Sequence, residues 1–274
     1  MELASRVALQ KLLKHYNITP RKTLGQNFLV SRRARNALAN AAEITPQDTI
    51  IEIGAGLGAV TQEIARRAKR VIAIERDETL CTALTDLFTE TPNVKIACSD
   101  ALALLAAHPS LLTGAVVVGN IPYKITGPLL RALVDADPPP GRIVVMVQKE
   151  VADRIVAKPP HMNLLALAVQ HAAHATRRAV VDAQSFWPAP HVASAVIALE
   201  PMSHDRSRDE ALFFVAKAAF GQPRKQLLGS LVKALHKNRT ELQKVLAACN
   251  VQPTQRPQEL SLNDWHCLSQ KLVR

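Results

Sequence analysis

From residue 49 the chain alternates short, nearly continuous apolar runs with segments of helical period. "TIIEIGAG" runs apolar into glycines and is followed by the amphipathic "AVTQEIARRA". "RVIAIERD" and "ETLCTALTDLF" repeat the pair. Then come "VKIACSDAL", "AVVVGNIPY" with "GPLLRALVD", and "GRIVVMVQKEVADRIVA", a strand passing into a helix. Strands apolar on both faces and separated by helices predict a parallel or mostly parallel sheet covered on both sides. "LALAVQHAA" and "ASAVIALEP" have no helix between them and predict two closing strands, an antiparallel pair at one edge. Ahead of the first strand, residues 1–16 and 31–43 read as helices, the second opened by Ser31 as N-cap. The loop "TPRKTLGQNFLV" between them carries an aromatic. After Pro201 the pattern changes: "MSHDRSRDE" is a polar hinge, and the rest is helical and basic to Arg274. The expected organisation is an α/β sheet domain over 1–201 and a small all-α domain over 202–274.

Composition narrows the partners. The chain has 274 residues, 48% of them hydrophobic, enough for one substantial core and a smaller second one. A formal charge of +11 points to a polyanion, nucleic acid before acidic lipid. Arg6, Lys11, Lys14, Arg21, Lys22, Arg32, Arg33 and Arg35 all precede the first strand, with Glu2 the only acid among them. Cys81, Cys98, Cys249 and Cys267 stand far apart without a CxxC pair, so four reduced thiols in a cytoplasmic protein are expected, and no metal site. His171 and His174 share a face, but no Cys or carboxylate stands at ligand spacing beside them. No apolar stretch approaches the roughly 18–20 residues that cross a bilayer. The basic amphipathic start "MELASRVALQKLLKHY" reads as a helix of the domain rather than a transit segment, given Glu2 and the scarcity of Ser.

The chemistry gathers where strands end. "IEIGAGLGAV" places Gly54, Gly56 and Gly58 at a strand-to-helix turn, where glycine permits tight turning and close approach of a ligand. The spacing is G-x-G-x-G, not the G-x-G-x-x-G of the dinucleotide fingerprint. The next strand ends in Glu75, 21 residues beyond Gly54, where a carboxylate accepts both hydroxyls of an adenosine ribose. Asp100 closes the third strand and is placed to pair with an adenine amino group. These features share one rim, the place where doubly wound sheets bind ligands. A P-loop is excluded, because no GK[ST] follows. NAD and S-adenosylmethionine remain, and NAD would want a free helix N-terminus for its pyrophosphate.

"GNIPYKIT" ends the fourth strand with a carboxamide, a proline and an aromatic. An exocyclic amine on adenine is a poor nucleophile, because its lone pair is delocalised into the ring. Acceptors on its hydrogens, the Asn120 side-chain oxygen and the Ile121 carbonyl, would draw the nitrogen toward a tetrahedral shape. Pro122 fixes the backbone so that the carbonyl faces inward. Tyr123 offers a flat face for the base, worth roughly 1–3 kcal/mol per stacked base. The reaction this predicts is in-line methyl transfer governed by positioning, without a strong general base.

With these residues in view, the sequence resembles the ribosomal RNA adenine N6,N6-dimethyltransferase family. The resemblance is carried by "LGQNFLV", "IEIGAGLGAVT", "AIERD", "SDAL", "GNIPYKIT", "VQKEVADRIVA", "FWPAPHVASAVI", "FGQPRKQLLGSL" and "LSLNDW", in order over nearly the whole chain. It implies a Rossmann-like class I methyltransferase sheet with a small helical C-terminal domain. It further implies transfer of methyl groups from S-adenosylmethionine to two adjacent adenosines near the 3′ end of small-subunit rRNA, late in subunit assembly, by a cytoplasmic chain acting as a monomer. By the same resemblance, Asn27 and Leu29 close over the methionine end of the cofactor. Gly54, Gly56, Glu75, Asp100 and Asn120 hold the rest of it. Phe186 stacks on the target base opposite Tyr123. Arg224, Lys225, Lys233 and Lys237, with Arg239 and Lys244, hold rRNA phosphates, contacts that weaken steeply with salt. The target bases must leave their stack to reach such a clamp.

Three stretches depart from the family pattern. Lys124 stands where Asn is usual, "KPPHMNLLALAV" replaces a Tyr-Gly-x-Leu-Ser stretch, and Pro223 stands where a basic residue is common. Competing readings are an Erm-type methylase of large-subunit rRNA, a non-catalytic RNA-binding assembly or transcription factor on the same fold, and an NAD-dependent reductase.

Overall fold

A computed structural model of the chain describes residues 1–21, 24–122, 125–202 and 209–273. The chain divides into two compact units, Met1–Ala152 with His174–Pro201, and Asp153–Ala173 with Met202–Arg274.

The first unit is built on a seven-stranded sheet. In chain order its strands are β2 (Thr49–Ile53), β3 (Arg70–Glu75), β4 (Val94–Cys98), β5 (Val116–Asn120), β6 (Arg142–Gln148), β7 (Ala173–Val181) and β9 (Ser194–Pro201). Their spatial order is β4-β3-β2-β5-β6-β9-β7. The first five run parallel, with Ile51 opposite Ile72 on one side and Val117 on the other. β9 runs antiparallel to β6, Val145 facing Ile197. Strands buried on both faces need apolar residues at every position, and Ile50, Ile51, Val117, Val118, Val144 and Val145 are all buried. Burial of each such side chain stabilises by roughly 1.5–3 kcal/mol. A separate two-stranded ribbon pairs β1 (Phe28–Leu29) with β8 (Phe186–Trp187).

Helices α1 (Arg6–His15), α2 (Arg32–Ala41), α3 (Thr61–Ile64), α4 (Glu78–Leu87) and α6 (Thr126–Val134) fall where helices are expected, and α7 (Lys149–Ile155) continues β6. Opened by the Asp100 cap, α5 (Ala101–Ala107) is a helix where the sequence pattern predicts only a strand passing to the next strand. Ser31 caps α2 as expected, accepting from the Ala34 amide at 3.3 Å. The helix expected over "AVTQEIARRA" stops after Ile64. Asn93 Nδ2 donates to the Ala65 and Ala68 carbonyls at 2.8 and 3.1 Å, satisfying backbone groups that the short helix leaves open.

The segment "LALAVQHAA" is not a strand. Residues Leu164–Ala172 form a helix, α8, and the edge strand is the polar stretch that follows, Ala173–Val181. A short apolar run cannot be told from a buried helix by periodicity alone. Here Asn163 decides the outcome, its side-chain oxygen accepting from the Leu165 and Ala166 amides at 3.1 and 3.0 Å. In the second unit α8 packs with α9 (Asp209–Phe220), α10 (Leu227–Leu235), α11 (Arg239–Ala248) and α12 (Leu262–Leu272). Their common core includes Leu167, Leu212, Leu231, Leu246 and Trp265, the last stacked on Phe220 with ring centroids 5.4 Å apart. The "LSLNDW" stretch starts α12 with a reciprocal cap between Ser261 and Asp264.

The expectation of four reduced thiols is also overturned. Cys81 on α4 is bonded to Cys98 at the end of β4, and Cys249 after α11 to Cys267 on α12, with Cα atoms 5.7 and 5.8 Å apart. Sequence separations of 17 and 18 residues carried no pairing signal, whereas strand–helix and helix–helix packing bring each pair within disulfide reach.

Gly58 closes the turn after β2 at φ +80°, and a Cβ there would clash with the edge of the Phe88 ring and press on Leu84. Gly58→Ala should therefore cost about 2–4 kcal/mol, adding left-handed strain to overpacking. A denaturant midpoint equal to that of the wild type would refute this.

Candidate active site

A cavity of about 190 Å³ lies in the first unit, at the carboxyl ends of β2, β3, β4 and β5. Parallel strands end here with their side chains converging, and the loops that follow supply the walls. One wall comes from the N-terminal segment, through Leu9, Leu12, Gly25, Gln26, Asn27 and Leu29. The floor is the glycine turn, with Gly54 and Gly56. Glu75, Asp100, Asn120 and Pro122 complete the rim. Eight of the residues singled out in the sequence thus converge, from five separate stretches of chain.

Gly54 explains how the two halves meet. Its φ is +74°, and a Cβ would sit 3.2 Å from the Asn120 carbonyl and 3.6 Å from Pro122. Only glycine lets the β2 turn and the end of β5 approach this closely. Asn120 Nδ2 donates to the Asn27 carbonyl at 3.2 Å. That bond assigns the amide: the nitrogen is spent on the N-terminal segment, and the oxygen is the end that can accept. Ile121 is buried, its amide donating to the Met146 carbonyl at 3.2 Å, so the backbone ahead of Pro122 is held by β6.

Glu75 is the best-tethered acid of the rim. Its Oε2 accepts from the Gly56 amide at 2.9 Å, and its Oε1 from the Arg76 and Asp77 amides at 2.8 and 3.0 Å. Burial raises its pKa above the ordinary carboxylate value, against the lowering effect of those three bonds. Oε1, with two bonds accepted, is filled, and Oε2 keeps a lone pair for a ligand hydroxyl. Asp100 does two jobs: it caps α5, accepting from the Ala103 amide at 3.2 Å, and it pairs with Arg76 at 3.3 Å.

Several participants were not singled out from sequence. Glu52, in the middle of the apolar run of β2, lines the cavity, is 2% exposed and accepts from Thr61 Oγ1 at 2.6 Å. Burial pushes its pKa up to about 8. A lone acid inside "TIIEIGAG" was the available signal. Gln26 and Asp77 form a latch: Gln26 Nε2 donates to Asp77 Oδ2 at 2.9 Å, Gln26 Oε1 accepts from the Arg21 amide at 2.7 Å, and the Arg21 guanidinium lies 3.4 Å from Asp77. Asp77 also caps α4 through the Thr79 amide, so one buried carboxylate ties the N-terminal wall to the acid-bearing rim.

Other expected residues stand apart. Tyr123 and Lys124 lie outside the described residues. Phe186 does not line the cavity. It is 3% exposed, sits opposite Leu29 in the β1–β8 ribbon and belongs to the core. In the second unit Arg224, Lys225, Lys233, Arg239 and Lys244 are exposed. Lys237 instead donates to the Leu272 carbonyl at 3.1 Å, with Glu241 at 3.9 Å. Among the described residues no group of three or more His, Cys, Asp or Glu could hold a metal, and no helix is long and apolar enough to cross a membrane.

The sheet order, the reversed β9 and a cavity at the carboxyl rim define a Rossmann-like methyltransferase. Two solved structures share this fold: the 23S rRNA methyltransferase ErmE, with TM-score 0.72 and 23% identity over 90% of this chain and all of that one, and a dimethyladenosine transferase from Plasmodium falciparum, with TM-score 0.71 and 23% identity over 88% and 95%. The sequence goes further. A profile of the ribosomal RNA adenine dimethylase family matches residues 17–270, and the chain belongs to that family. It is 38% identical to a ribosomal RNA small subunit methyltransferase A from Dehalococcoides mccartyi, over 94% of this chain and 90% of the relative. It is 36% identical to one from Geobacillus kaustophilus, over 99% and 97%.

Proposed function

We propose that the chain dimethylates the exocyclic amines of two adjacent adenosines near the 3′ end of small-subunit rRNA, with S-adenosylmethionine as methyl donor, during assembly of the small subunit. The small-subunit assignment is supported by the two small-subunit methyltransferases to which the chain is 36–38% identical. The likeness to ErmE, at 23%, supports the fold alone.

The observation that carries the chemistry is the Asn120 amide, anchored by Asn27 so that its oxygen is the free acceptor at the rim. The donor set fits an adenosine-bearing sulfonium better than a dinucleotide. Glu75 supplies an acceptor for a ribose hydroxyl and Asp100 one for an adenine amine, while Arg76, the cation among the described residues of this rim, is paired to Asp100. A pyrophosphate would want a helix N-terminus at the glycine turn, and α3 has only 4 residues. When bound, S-adenosylmethionine supplies an electrophilic methyl group. Asn120 and the Ile121 carbonyl take the hydrogens of the adenine amine and aim its lone pair, Pro122 holds the carbonyl direction, and Tyr123 stacks the base. Asn27 and Leu29 close the methionine end, and the cavity wall of Leu9, Leu12 and Leu29 keeps water out. Residues 202–274, with Arg224, Lys225 and Lys233, supply phosphate contacts; Phe186 becomes the second face of the clamp only if the β1–β8 ribbon opens.

Labelled S-adenosylmethionine incubated with unmethylated small subunits and, in parallel, with large subunits should yield dimethyladenosine in the small-subunit rRNA on nucleoside analysis. Label appearing only in large-subunit rRNA would transfer the assignment to the Erm-type reading. The latch gives a second test. Gln26→Ala loosens the wall that carries Asn27, so the Kd for S-adenosylhomocysteine should rise about tenfold, the loss of one charge-assisted hydrogen bond. Calorimetry showing unchanged affinity would remove Gln26 from the site.

A further inference from the structure

Apart from Arg21, which belongs to the latch, the cluster of cations ahead of β2 is not used by the site, and the structure sorts it. Arg35 is buried and pairs with Glu2 and Glu63, Arg32 pairs with Glu2 at 3.1 Å, and Arg21 with Asp77 at 3.4 Å. Lys22 lies outside the described residues. Arg6, Lys11, Lys14 and Arg33 remain exposed and form no ion pair with any described residue.

Three of these four share α1. At 3.6 residues per turn, Arg6, Lys14 and Lys11 fall within an arc of about 140°, spread over about 12 Å of helix axis. No acid interrupts that arc, which Val7, 63% exposed, and Gln10 complete. The opposite face, Ala8, Leu9, Leu12 and Leu13, is buried, and Leu9 and Leu12 line the active-site cavity. One helix therefore turns apolar residues toward the site and an unneutralised cationic stripe outward. With that apolar face buried, Val7 is the single exposed apolar residue α1 could offer a bilayer, too little for insertion, so the ligand that fits is a polyanion in solution.

We infer that the outer face of α1 binds the phosphate backbone of the RNA substrate beside the target adenosines. The inference rests on the rRNA reading above and adds a docking surface on the catalytic unit itself, separate from the basic residues of the C-terminal segment. Charge complementarity selects the backbone rather than the bases, because three flexible cations, with Gln10 the single amide and no aromatic among them, position a strand and do not read its sequence. The helix that contacts RNA also roofs the cavity, so substrate capture and the closed N-terminal wall reinforce one another.

The test uses the full chain with unmethylated small subunits as the probe. The triple variant Arg6→Gln, Lys11→Gln, Lys14→Gln should bind them about tenfold more weakly at 0.15 M salt, and the slope of log affinity against log salt should fall by about 2–3, one phosphate contact per lost cation. Its kcat at saturating RNA and its Kd for S-adenosylhomocysteine should stay at wild-type values. The charge-conserving triple Arg6→Lys, Lys11→Arg, Lys14→Arg should bind as wild type does. Unchanged affinity and salt slope in the glutamine variant overturn the inference, as does an equal loss in the charge-conserving one, or capture by anionic vesicles in preference to RNA. A wild-type chain that methylates no rRNA overturns the proposed function instead, and the two failures are thereby distinguished.

Discussion

Asn120→Ala is expected to lower kcat for methyl transfer by about 10²–10³-fold, the scale seen when one preorganised polar contact to a reacting group is removed. Affinity for the RNA should stay within about twofold, because Asn120 lies at the rim of the cavity and not on a cationic surface. The split is diagnostic. Asn120 acts on the amine only as its nitrogen changes shape, so its loss belongs in kcat and not in binding. A modest weakening of cofactor affinity should accompany it, since the Asn27 carbonyl loses its partner at 3.2 Å. Single-turnover methylation with labelled S-adenosylmethionine reads the first effect and calorimetry with S-adenosylhomocysteine the second. Full activity in this variant would eliminate the proposed mechanism and leave a fold with an unexplained loop.

The second large effect is on stability and comes from Glu52. Its folded-state pKa is pushed up to about 8 by burial, against 4.5 for the free side chain. The sign follows from proton binding. Between those values the native state holds a proton that the unfolded chain has released, so stability falls as pH rises, by about 1.4 kcal/mol per unit. The stabilisation is complete below about pH 4.5 and is lost by about pH 8, on the order of 4–5 kcal/mol in all. Glu52→Gln keeps the shape and the acceptor for Thr61 but cannot ionise. It should match the wild type near pH 5 and exceed it in stability at pH 8.5. Glu75, also raised by burial, contributes with the same sign to both proteins and largely cancels in the difference. Urea unfolding across this range tests it, and parallel profiles for the two proteins would show that Glu52 is ionised in the native state.

Both effects depend on residues whose legibility in the sequence differed. Asn120 stood out because a carboxamide, a proline and an aromatic ended an apolar strand, a pattern with few structural uses. Glu52 was hidden by its neighbours: in a strand buried on both faces, one acid among isoleucines looks like a minor irregularity. Gln26 and Asp77 were visible in "GQNFL" and "ERD", but their partnership spans 51 residues and no local rule connects them. The segment 165–173 failed for a different reason. Leucine and alanine serve a helix or a buried strand equally well, and the Asn163 cap settled a choice that the apolar pattern left open.

The alternation of apolar runs and helical periods by itself determined a doubly wound sheet, because each run had to be buried on both faces and each helix on one. The glycine turn and the acids at strand ends were likewise fixed locally, since chain direction in a parallel sheet sends every such end to the same rim. Tertiary structure alone decided which cysteines meet, that Phe186 packs inside the β1–β8 ribbon, that Lys237 is engaged by its own unit, and which N-terminal cations are left without a partner. These outcomes depend on distances between residues far apart in the chain. Sequence patterning constrains which face a side chain takes, and only packing sets what it meets there.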